Sequence, residues 1–220
     1  MRVYNKTELY PNTKSLSSSQ LIYYPKDPYQ FYCEWVMKME RPKSPAMCFG
    51  IAFSEAYADR SFDYVTYCLE NKVNKRLIGL MAEVLPLFPA LPEEDCEFEL
   101  WIDHRGWKFR VTLDGFIPDD GIIIENKTGQ VYWHQERVDD DLQLTIQIWA
   151  YWRKYGKLPK QLLLNWVDTS AQATKKIWTF KTKRTITQLK AFEKYYLDVV
   201  IDNLEAKNFS NKVPVWEQQD

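Results

Sequence analysis

Three charged side chains near the middle of the sequence have the types and the spacing of a site that cleaves phosphodiesters. Asp114 precedes the turn sequence Pro118-Asp119-Asp120-Gly121, and Glu125 and Lys127 follow it. Proline presets φ and glycine accepts the exit geometry, so the turn predicts a β-hairpin. If the turn centres on its two aspartates, Asp114 lies opposite Glu125, with Cβ atoms about 5 Å apart. Strand periodicity returns Lys127 to the same face. Two carboxylates and an ammonium so placed indicate a divalent-metal site.

The segments around the turn have the composition of β-strands. Residues 109–117 and 122–124 are β-branched or aromatic at many positions, which is typical of strands. Upstream, residues 98–102 alternate between polar and apolar, and His104-Arg105-Gly106 predicts the turn into residues 107–116. With residues 122–127, these segments predict a three-stranded antiparallel meander that carries the charged residues.

Helix signals lie on both sides of the meander. Ser17-Ser18-Ser19-Gln20 and Thr185-Ile186-Thr187-Gln188 match capping boxes, and Asp27-Pro28 is a further helix start. Helices are predicted over residues 29–39, 48–60, 62–85, 142–155 and 185–204, and two more strands over residues 161–168 and 176–182. This order predicts an α/β (α+β) fold in which a central mixed sheet is flanked by helices.

Length and composition indicate a single ordered domain. The chain has 220 residues, 15% aromatic residues and a formal net charge of -1. This argues against disorder and against a uniformly basic nucleic-acid binder, so contact with a polyanion would need local basic patches. We expect an arm over residues 1–14 and one domain over residues 15–220. Within it we distinguish a helical part (15–95), a catalytic core (96–206) and a tail (207–220).

The cysteines and the hydropathy pattern exclude several classes of protein. Four cysteines are scattered without a CxxC pair or a nearby histidine at zinc-finger spacing, so we expect neither a zinc site nor an iron–sulfur cluster. We find no signal-peptide pattern in residues 1–10 and no apolar run long enough to span a membrane. We therefore expect a cytoplasmic protein of a reducing compartment that does not interact with membranes.

The motifs together resemble the PD-(D/E)xK nuclease superfamily, in particular its RecB-like and viral (phage) exonuclease branch. Asp114-Gly115 is similar to the first acid of the branch, and Glu125-Asn126-Lys127-Thr128-Gly129 to its strand motif. Gln147 and Tyr151 match the Q-x-x-x-Y helix motif. Residues 50–55 resemble the upstream helix, with Glu55 in the acidic place. Residues 15–19 and 27–32 resemble the start of the branch, so the likeness covers about residues 15–167.

The resemblance implies a restriction-endonuclease-like core and a Mg²⁺-dependent (or Mn²⁺-dependent) DNA nuclease. It implies that Asp114, Glu125 and the Asn126 carbonyl hold the metal, and that Glu55 completes the acidic cluster or bridges to it through water. Magnesium suits such oxygen ligands. Lys127 would position the attacking water or neutralise developing charge. Gln147 and Tyr151 lie one helical turn apart, and we expect them to orient Lys127 or the DNA strand.

The pattern departs from the family at one place that matters for the metal. Ser54 stands where many relatives carry a metal-ligating histidine. This departure keeps a second interpretation open, in which the fold is catalytically silent and acts as a nucleic-acid or protein binding module. The intact Asp114, Glu125 and Lys127 favour the enzyme.

The biological setting follows from the resemblance alone. It implies an exonuclease or single-strand-processing enzyme of recombination, repair or phage DNA metabolism, in a bacterial or phage-infected cell. The expected substrate is linear or single-stranded DNA. A single-strand annealing protein or a helicase would be a separate chain, because no motor motif is present. The sequence leaves open exonuclease or endonuclease action, DNA or RNA, polarity and oligomeric state.

Two further sets of residues are candidates for contact with nucleic acid. Trp107, Tyr132 and Trp133 would stack on unpaired bases if they are exposed. Basic residues cluster around the last strand and at the end of the helix that carries Gln147. Either basic set would follow phosphates, or the strand cluster would be a lysine-protected edge of the sheet.

Overall fold

A six-stranded mixed sheet organises the residues that the computed structural model describes, which are 13–207 and 209. The strands are β1 (Ser15–Ser17), β2 (Cys96–His104), β3 (Trp107–Ile117), β4 (Ile122–Gly129), β5 (Gln161–Asp168) and β6 (Ile177–Thr182). Along the sheet the order is β1-β3-β4-β5-β6, with β2 paired to β3. β4 and β5 are parallel, and β5 and β6 are antiparallel. The predicted mixed sheet and its antiparallel meander, β2 to β4, are confirmed.

Within residues 13–207, one edge of β3 pairs with a single strand, and its other edge pairs with two strands at separate segments. β2 pairs antiparallel with β3 along one edge. On the other edge, β1 runs parallel to residues 108–110 and β4 runs antiparallel to residues 115–117. Within the described part of the chain, no strand pairs with residues 111–114 on this second edge. The sheet therefore opens beside Asp114.

The register predicted for the β3–β4 hairpin is the register observed. Gly115 pairs with Ile124, and Ile117 pairs with Ile122. The next position in this register sets Asp114 opposite Glu125, at the point where the ladder ends. Gly121 has φ +60°, a left-handed conformation that glycine adopts without strain, and its amide donates to the Pro118 carbonyl at 3.1 Å.

The helices flank the sheet, and three of them, α1, α2 and α8, begin where the capping signals predict. They are α1 (Ser18–Tyr23), α2 (Pro28–Phe31), α3 (Pro45–Ala58), α4 (Tyr64–Glu70), α5 (Lys75–Val84), α6 (Gln135–Asp140), α7 (Leu142–Tyr155), α8 (Ile186–Phe192) and α9 (Asp198–Glu205). π-Helical stretches, Tyr32–Val36 and Glu193–Leu197, follow α2 and join α8 to α9. Ser17 and Thr185 both form reciprocal capping boxes.

Several predicted boundaries are wrong for local reasons. The helix predicted over residues 62–85 is interrupted between α4 and α5, because Lys72 has φ +57° and Asn74 caps α5. The helix predicted over residues 29–39 ends at Val36. β1 and α6 were not predicted: β1 is too short for a periodic signal, and α6 lies in a segment that reads as polar.

Two hydrophobic clusters hold these layers together. The larger one joins the sheet to α1, α7 and the C-terminal helices, and Trp149 and Phe109 lie at its centre. The smaller one joins α3, α4 and α5 around Phe53 and Met81. α3 also contacts β2 and β4, and α1 contacts β3. The helical part over residues 15–95 thus packs directly against the strands that carry Asp114 and Glu125.

Some predictions concern residues outside the described part of the chain. Most of the arm over residues 1–14 and most of the tail over residues 207–220 belong to this group, and the proposed domain divisions stay predictions. Of the helices formed by residues 13–207, none combines the length and the apolar character needed to cross a membrane.

Candidate active site

Glu125 is the buried centre of a hydrogen-bonded cluster. It lies on β4, and only 1% of its surface is exposed. Lys127 Nζ lies 2.5 Å from Glu125 Oε1. Gln143 Nε2 donates to the same oxygen at 2.7 Å, and Gln147 Nε2 donates to Oε2 at 2.6 Å. The cluster closes because Lys127 Nζ also donates to Gln143 Oε1 at 2.7 Å. A buried carboxylate needs such partners, because an unpaired one is costly.

The two glutamines reach Glu125 from one face of α7. They are four residues apart, so they share a face of the helix. Asp141 caps the helix through a hydrogen bond from the Leu144 amide at 3.0 Å, and Gly156 ends it in a left-handed conformation. Gln147 Nε2 also donates to the Thr112 carbonyl at 3.3 Å. α7 thereby bridges the opening between β3 and β4.

Asp114 lies at the open edge of β3, where it is partly buried. The Asn126 amide donates to Asp114 Oδ2 at 2.7 Å. Burial, together with the charges of Glu125 and Glu97, raises the pKa of Asp114 well above its usual range, although Lys127 acts in the opposite direction. The carboxylate is therefore held where its negative charge is poorly stabilised, and a cation would relieve this cost.

Lys127 keeps its charge in this setting. Burial alone would lower its pKa, but Glu125 and Asp114 outweigh burial, so its pKa is raised overall. Lys127 is therefore an ammonium at neutral pH. It can neutralise charge or hold a water molecule, but it cannot take a proton from one.

Sequence reasoning missed Glu97, a third carboxylate near Asp114. Cys96 pairs with Gly115 and Phe98 with Leu113, so Glu97 occupies the position opposite Asp114 on β2. Its φ of +49° interrupts the ladder there. Ser54 Oγ donates to Glu97 Oε1 at 2.9 Å. The turn over residues 104–106 would have allowed this register to be counted from sequence.

Tyr151 lies elsewhere than expected, and the role of Glu55 stays a prediction. Burial is the main cause that raises the pKa of Tyr67, and Cys48, Cys68 and Glu55 add to it. The neighbouring Ser54 faces the site. The Tyr151 hydroxyl lies against Gly121, where an added Cβ would come within 2.9 Å of it. Tyr151 therefore supports the hairpin turn, and Lys127 is oriented by Glu125 and Gln143.

Asn126 contributes to the site through its main chain. Its side-chain oxygen accepts from Asn165 Nδ2 at 3.0 Å, while its amide serves Asp114. On the same side, Tyr57 and Leu91 close the wall beside Gly115. A Cβ at Gly115 would lie 2.7 Å from Leu91 Cδ1 and 3.1 Å from the Tyr57 hydroxyl. A larger residue after Asp114 would therefore require the Leu91 and Tyr57 side chains to move.

Asp114 opens into a cleft of about 270 Å³. Hydroxyl and charged side chains dominate its lining, which consists of Ser17, Ser18, Ser19, Ser54, Glu97, Arg110, Thr112, Asp114 and Gln143. Glu125 lies behind this lining. The cleft can therefore admit a polar group to Asp114, and Gln143 in its lining contacts Glu125.

Three of the expected nucleic-acid contacts are structural. Trp107 and Trp133 are buried, whereas Tyr132 is exposed. Arg184 is buried and donates to the Thr145 and Thr182 hydroxyls. Stacking by Trp107 or Trp133 is excluded by this burial, and Arg184 belongs to the scaffold.

The donors at the site fit a hard divalent cation by their chemistry. Asp114 and Glu125 supply carboxylate oxygens, which suit Mg²⁺, and the raised pKa of Asp114 marks a place where positive charge is needed. Among residues 13–207, no three histidine, cysteine, aspartate or glutamate side chains already converge as a ligand set. Main-chain oxygens and water would have to complete the coordination of a cation there.

Comparison with solved structures supports the fold. The chain resembles the crystal structure of a provisionally assigned exonuclease from Eubacterium rectale, with a TM-score of 0.57, 13% identity, and coverage of 98% of this chain and 96% of that one. It also resembles an alkaline exonuclease from Laribacter hongkongensis, with a TM-score of 0.46, 14% identity, and coverage of 89% and 90%. No protein-family model and no curated protein matches the chain. The first likeness agrees with a restriction-endonuclease-like core.

Proposed function

We propose that this protein is a Mg²⁺-dependent nuclease that hydrolyses phosphodiester bonds in DNA. One observation carries the proposal. Asp114 and Glu125 lie opposite each other where β3 and β4 separate, Lys127 is bonded to Glu125, and the pKa of Asp114 is raised by burial and by Glu125. A fold without catalytic use has no physical reason to keep two such carboxylates together, because like charges destabilise the folded state.

The named neighbours give independent support for this class of reaction. The Eubacterium rectale protein is provisionally assigned as an exonuclease, and its fold extends over nearly the whole of both chains. We extend that activity to this chain as part of the proposal. Action on linear or single-stranded DNA in recombination, repair or phage DNA metabolism, and a helicase or annealing partner, stay predictions from the sequence resemblance.

The residues of the site divide the chemistry between them. Asp114 and Glu125 would hold the cation, with the main-chain carbonyl of Asn126 as a further oxygen donor. A bound Mg²⁺ supplies Lewis acidity and lowers the pKa of coordinated water. Lys127 is cationic and neutralises charge that develops on the phosphate. Gln143 holds Lys127 and Glu125 in register, and Gln147 fixes the second oxygen of Glu125.

Glu97 weakens the case for a catalytically silent module. The sequence has Ser54 where many relatives of the resembled branch have a histidine, which motivates that alternative. In the structure Ser54 bonds Glu97, and Glu97 lies opposite Asp114. Ser54 thus connects α3 to a carboxylate that lines the cleft beside Asp114, and we propose that this carboxylate acts on the cation through water. Oxygen is the donor that Mg²⁺ prefers.

The test is a digestion assay with end-labelled linear, circular and single-stranded DNA, with Mg²⁺ or with a chelator. We expect cleavage only with the cation, and we expect Lys127→Ala to lower kcat by about 10²–10³-fold, the usual effect of removing one charge-stabilising donor. Lys190→Ala is the control, because Lys190 is exposed on α8 and belongs to neither basic set. Unchanged activity in Lys127→Ala protein would contradict the proposal.

Calorimetric titration with Mg²⁺ separates the two interpretations. The nuclease requires binding that Asp114→Asn weakens, together with cleavage. Binding of DNA without binding of the cation and without cleavage would favour the silent module.

A further inference from the structure

A second cavity lies on the same face of β3 as the candidate active site. It has a volume of about 510 Å³ and is lined by Thr13, Lys14, Ser15, Trp101, Gly106 and Lys108. Two lysines, two hydroxyl side chains and a tryptophan thus surround it, and no acidic residue is in this lining. The lining has the chemistry of a surface that takes a phosphate and a flat ring together.

Trp101 presents its ring to this cavity. It lies on β2, which among the described strands pairs with β3 alone, and 37% of its surface is exposed. Its indole N–H donates to Glu99 Oε2 at 3.1 Å, which fixes the orientation of the ring. The hydrophobic clusters already hold Trp107 and Trp149, so Trp101 is left outside the core. An oriented, exposed indole is a platform on which an unpaired base can stack.

Lys108 is placed to meet a phosphate, whereas the Lys14 ammonium lies over Trp107 and on Glu205. Lys108 is exposed, and its amide donates to the Lys14 carbonyl at 2.8 Å, so β3 and the start of β1 hold the two residues side by side. Lys14 pairs with Glu205 at 3.0 Å, but both side chains are largely exposed. Such a surface pair contributes little. Asp103 lies opposite Lys108 in the register but outside the lining.

This cavity and the cleft at Asp114 lie along one row of side chains. Lys108, Arg110, Thr112 and Asp114 alternate along β3 and therefore share a face. Arg110 and Thr112 line the cleft, and Lys108 lines the second cavity. Six residues separate Lys108 from Asp114, a distance of about 20 Å at the usual rise of a strand. The length corresponds to a few nucleotides of an extended single strand.

We propose that the cavity around Trp101 binds single-stranded DNA whose neighbouring phosphodiester lies at Asp114. A base stacks on Trp101, and the adjoining phosphate lies at Lys108. The strand then follows the row over Arg110 and Thr112 to the cleft. A duplex fits less well, because its bases are not free to stack on an indole. This proposal rests on the nuclease proposed above, and it names the part of the substrate that lies beyond the reacting phosphate.

Binding without cleavage tests the surface independently of catalysis. The measurement is fluorescence anisotropy of a labelled oligothymidylate of about 16 nucleotides, with full-length protein in a chelator. Since stacking contributes about 1–3 kcal/mol per base, we expect Trp101→Ala to weaken binding about 5- to 150-fold and Trp101→Tyr to restore most of it. Lys108→Ala should make binding less dependent on salt, lowering the slope of log K against log salt concentration by about 0.7. Tyr195→Ala, at an exposed aromatic on α8–α9, should change nothing.

Cleavage assays then show whether the cavity binds the part of the substrate that lies beyond the reacting phosphate. With long single-stranded DNA, Trp101→Ala should raise KM and leave kcat nearly unchanged. With the p-nitrophenyl ester of thymidine 5′-phosphate, which cannot reach Trp101, the variant should match the wild type. The proposal is overturned if Trp101→Ala leaves the binding of oligothymidylate unchanged. It is also overturned if the variant loses cleavage activity equally on both substrates, or if Trp101 matters only for binding duplex DNA. Trp101-dependent binding in a protein that cleaves nothing would retain this surface and reject the nuclease.

Discussion

The two ends of the β3–β4 hairpin are built for opposite purposes. At the closed end, next to the turn, Phe116 and Ile123 pair and are buried, and Phe116 contacts Tyr151 and Tyr155. At the open end, two residues before Phe116 on β3, the ladder stops and Asp114 lies opposite Glu125. The closed end stabilises the fold by apolar burial. The open end keeps like charges close together at a cost in stability.

This contrast shows where the molecule gives up stability for chemistry. Local propensity, pattern and packing agree at the closed end, as expected of a stable element. At the open end they conflict, since burial and Glu125 both disfavour the charge on Asp114. Such conflicts are expected at functional sites. If the contrast is real, substitutions at the closed end change stability, and substitutions at the open end change activity more than stability.

The largest effect on stability should come from the closed end. Phe116→Ala removes a buried ring that contacts Phe98, Tyr151 and Tyr155. We expect the free energy of unfolding to fall by about 3–5 kcal/mol, as for other buried aromatic residues, while the folded protein keeps most of its activity. Urea denaturation followed by circular dichroism measures the change.

Tyr155→Ala is the matched control for this substitution. Tyr155 stacks on Phe116 but is 41% exposed. Its removal should therefore lower the free energy of unfolding by less than Phe116→Ala does. A folded Phe116→Ala protein that has lost cleavage as completely as Lys127→Ala would show that the two ends are not separable.

The sequence predicts the closed end better than the open end, and the reason is periodicity. The turn, the meander and the limits of α7 and β5 follow from capping residues, glycine and alternation, which are local signals. Glu97 was missed because it contributes through its register with Asp114 across a second turn. Its left-handed φ also breaks the strand pattern there.

Local periodicity also fails to show which residues of α3 and α7 contact the site. Ser54 and Glu55 are adjacent on α3, and sequence alone does not decide which of them faces the sheet. Gln143, Gln147 and Tyr151 recur every four residues on α7. The open gap between β3 and β4 admits the first two, whereas Tyr151 lies beyond it under the turn. The rotation of a helix against a sheet is a tertiary property, so helical spacing gives the candidates but not their partners.

Removal of Gln147 should lower both the stability of the fold and the affinity for Mg²⁺, with a loss of stability of intermediate size. Gln147 is fully buried and donates to Glu125 Oε2 and to the Thr112 carbonyl. Gln147→Leu keeps the volume but leaves those oxygens without this donor. We expect a loss of about 1–3 kcal/mol in the free energy of unfolding, together with weaker Mg²⁺ binding because Glu125 is no longer fixed.

Gln143→Leu is the control from the next turn of the same helix. Gln143 is partly exposed, so water can replace its hydrogen bonds, and the loss of stability should be smaller. Because Gln143 bridges Lys127 and Glu125, its loss should appear mainly in kcat. Equal stability losses in the two variants would contradict the assignment of Gln147 as the buried support.

The smallest effect should be a gain in stability when the charge at the open end is removed. In the folded protein the pKa of Asp114 lies above its unfolded value, which is about 3.9. The folded state therefore holds a proton that the unfolded state releases. Stability must fall as pH rises from the unfolded value through the folded one, and it stays lower above both.

Asp114→Asn should therefore be more stable than the wild type at neutral pH when no divalent cation is present, and this advantage should vanish in acid below the unfolded pKa. The asparagine oxygen can still accept from the Asn126 amide, so the local hydrogen bond is retained. Thermal melts across pH measure the difference. Asp120→Asn is the control, because Asp120 is exposed on the turn and paired with Lys160, and its loss should give no such gain. Mg²⁺ should raise the Tm of the wild type but not that of Asp114→Asn, since a ligand stabilises only the state that binds it. A variant that is less stable than the wild type at neutral pH without the cation would show that Asp114 supports the fold, and the contrast between the two ends of the hairpin would then be lost.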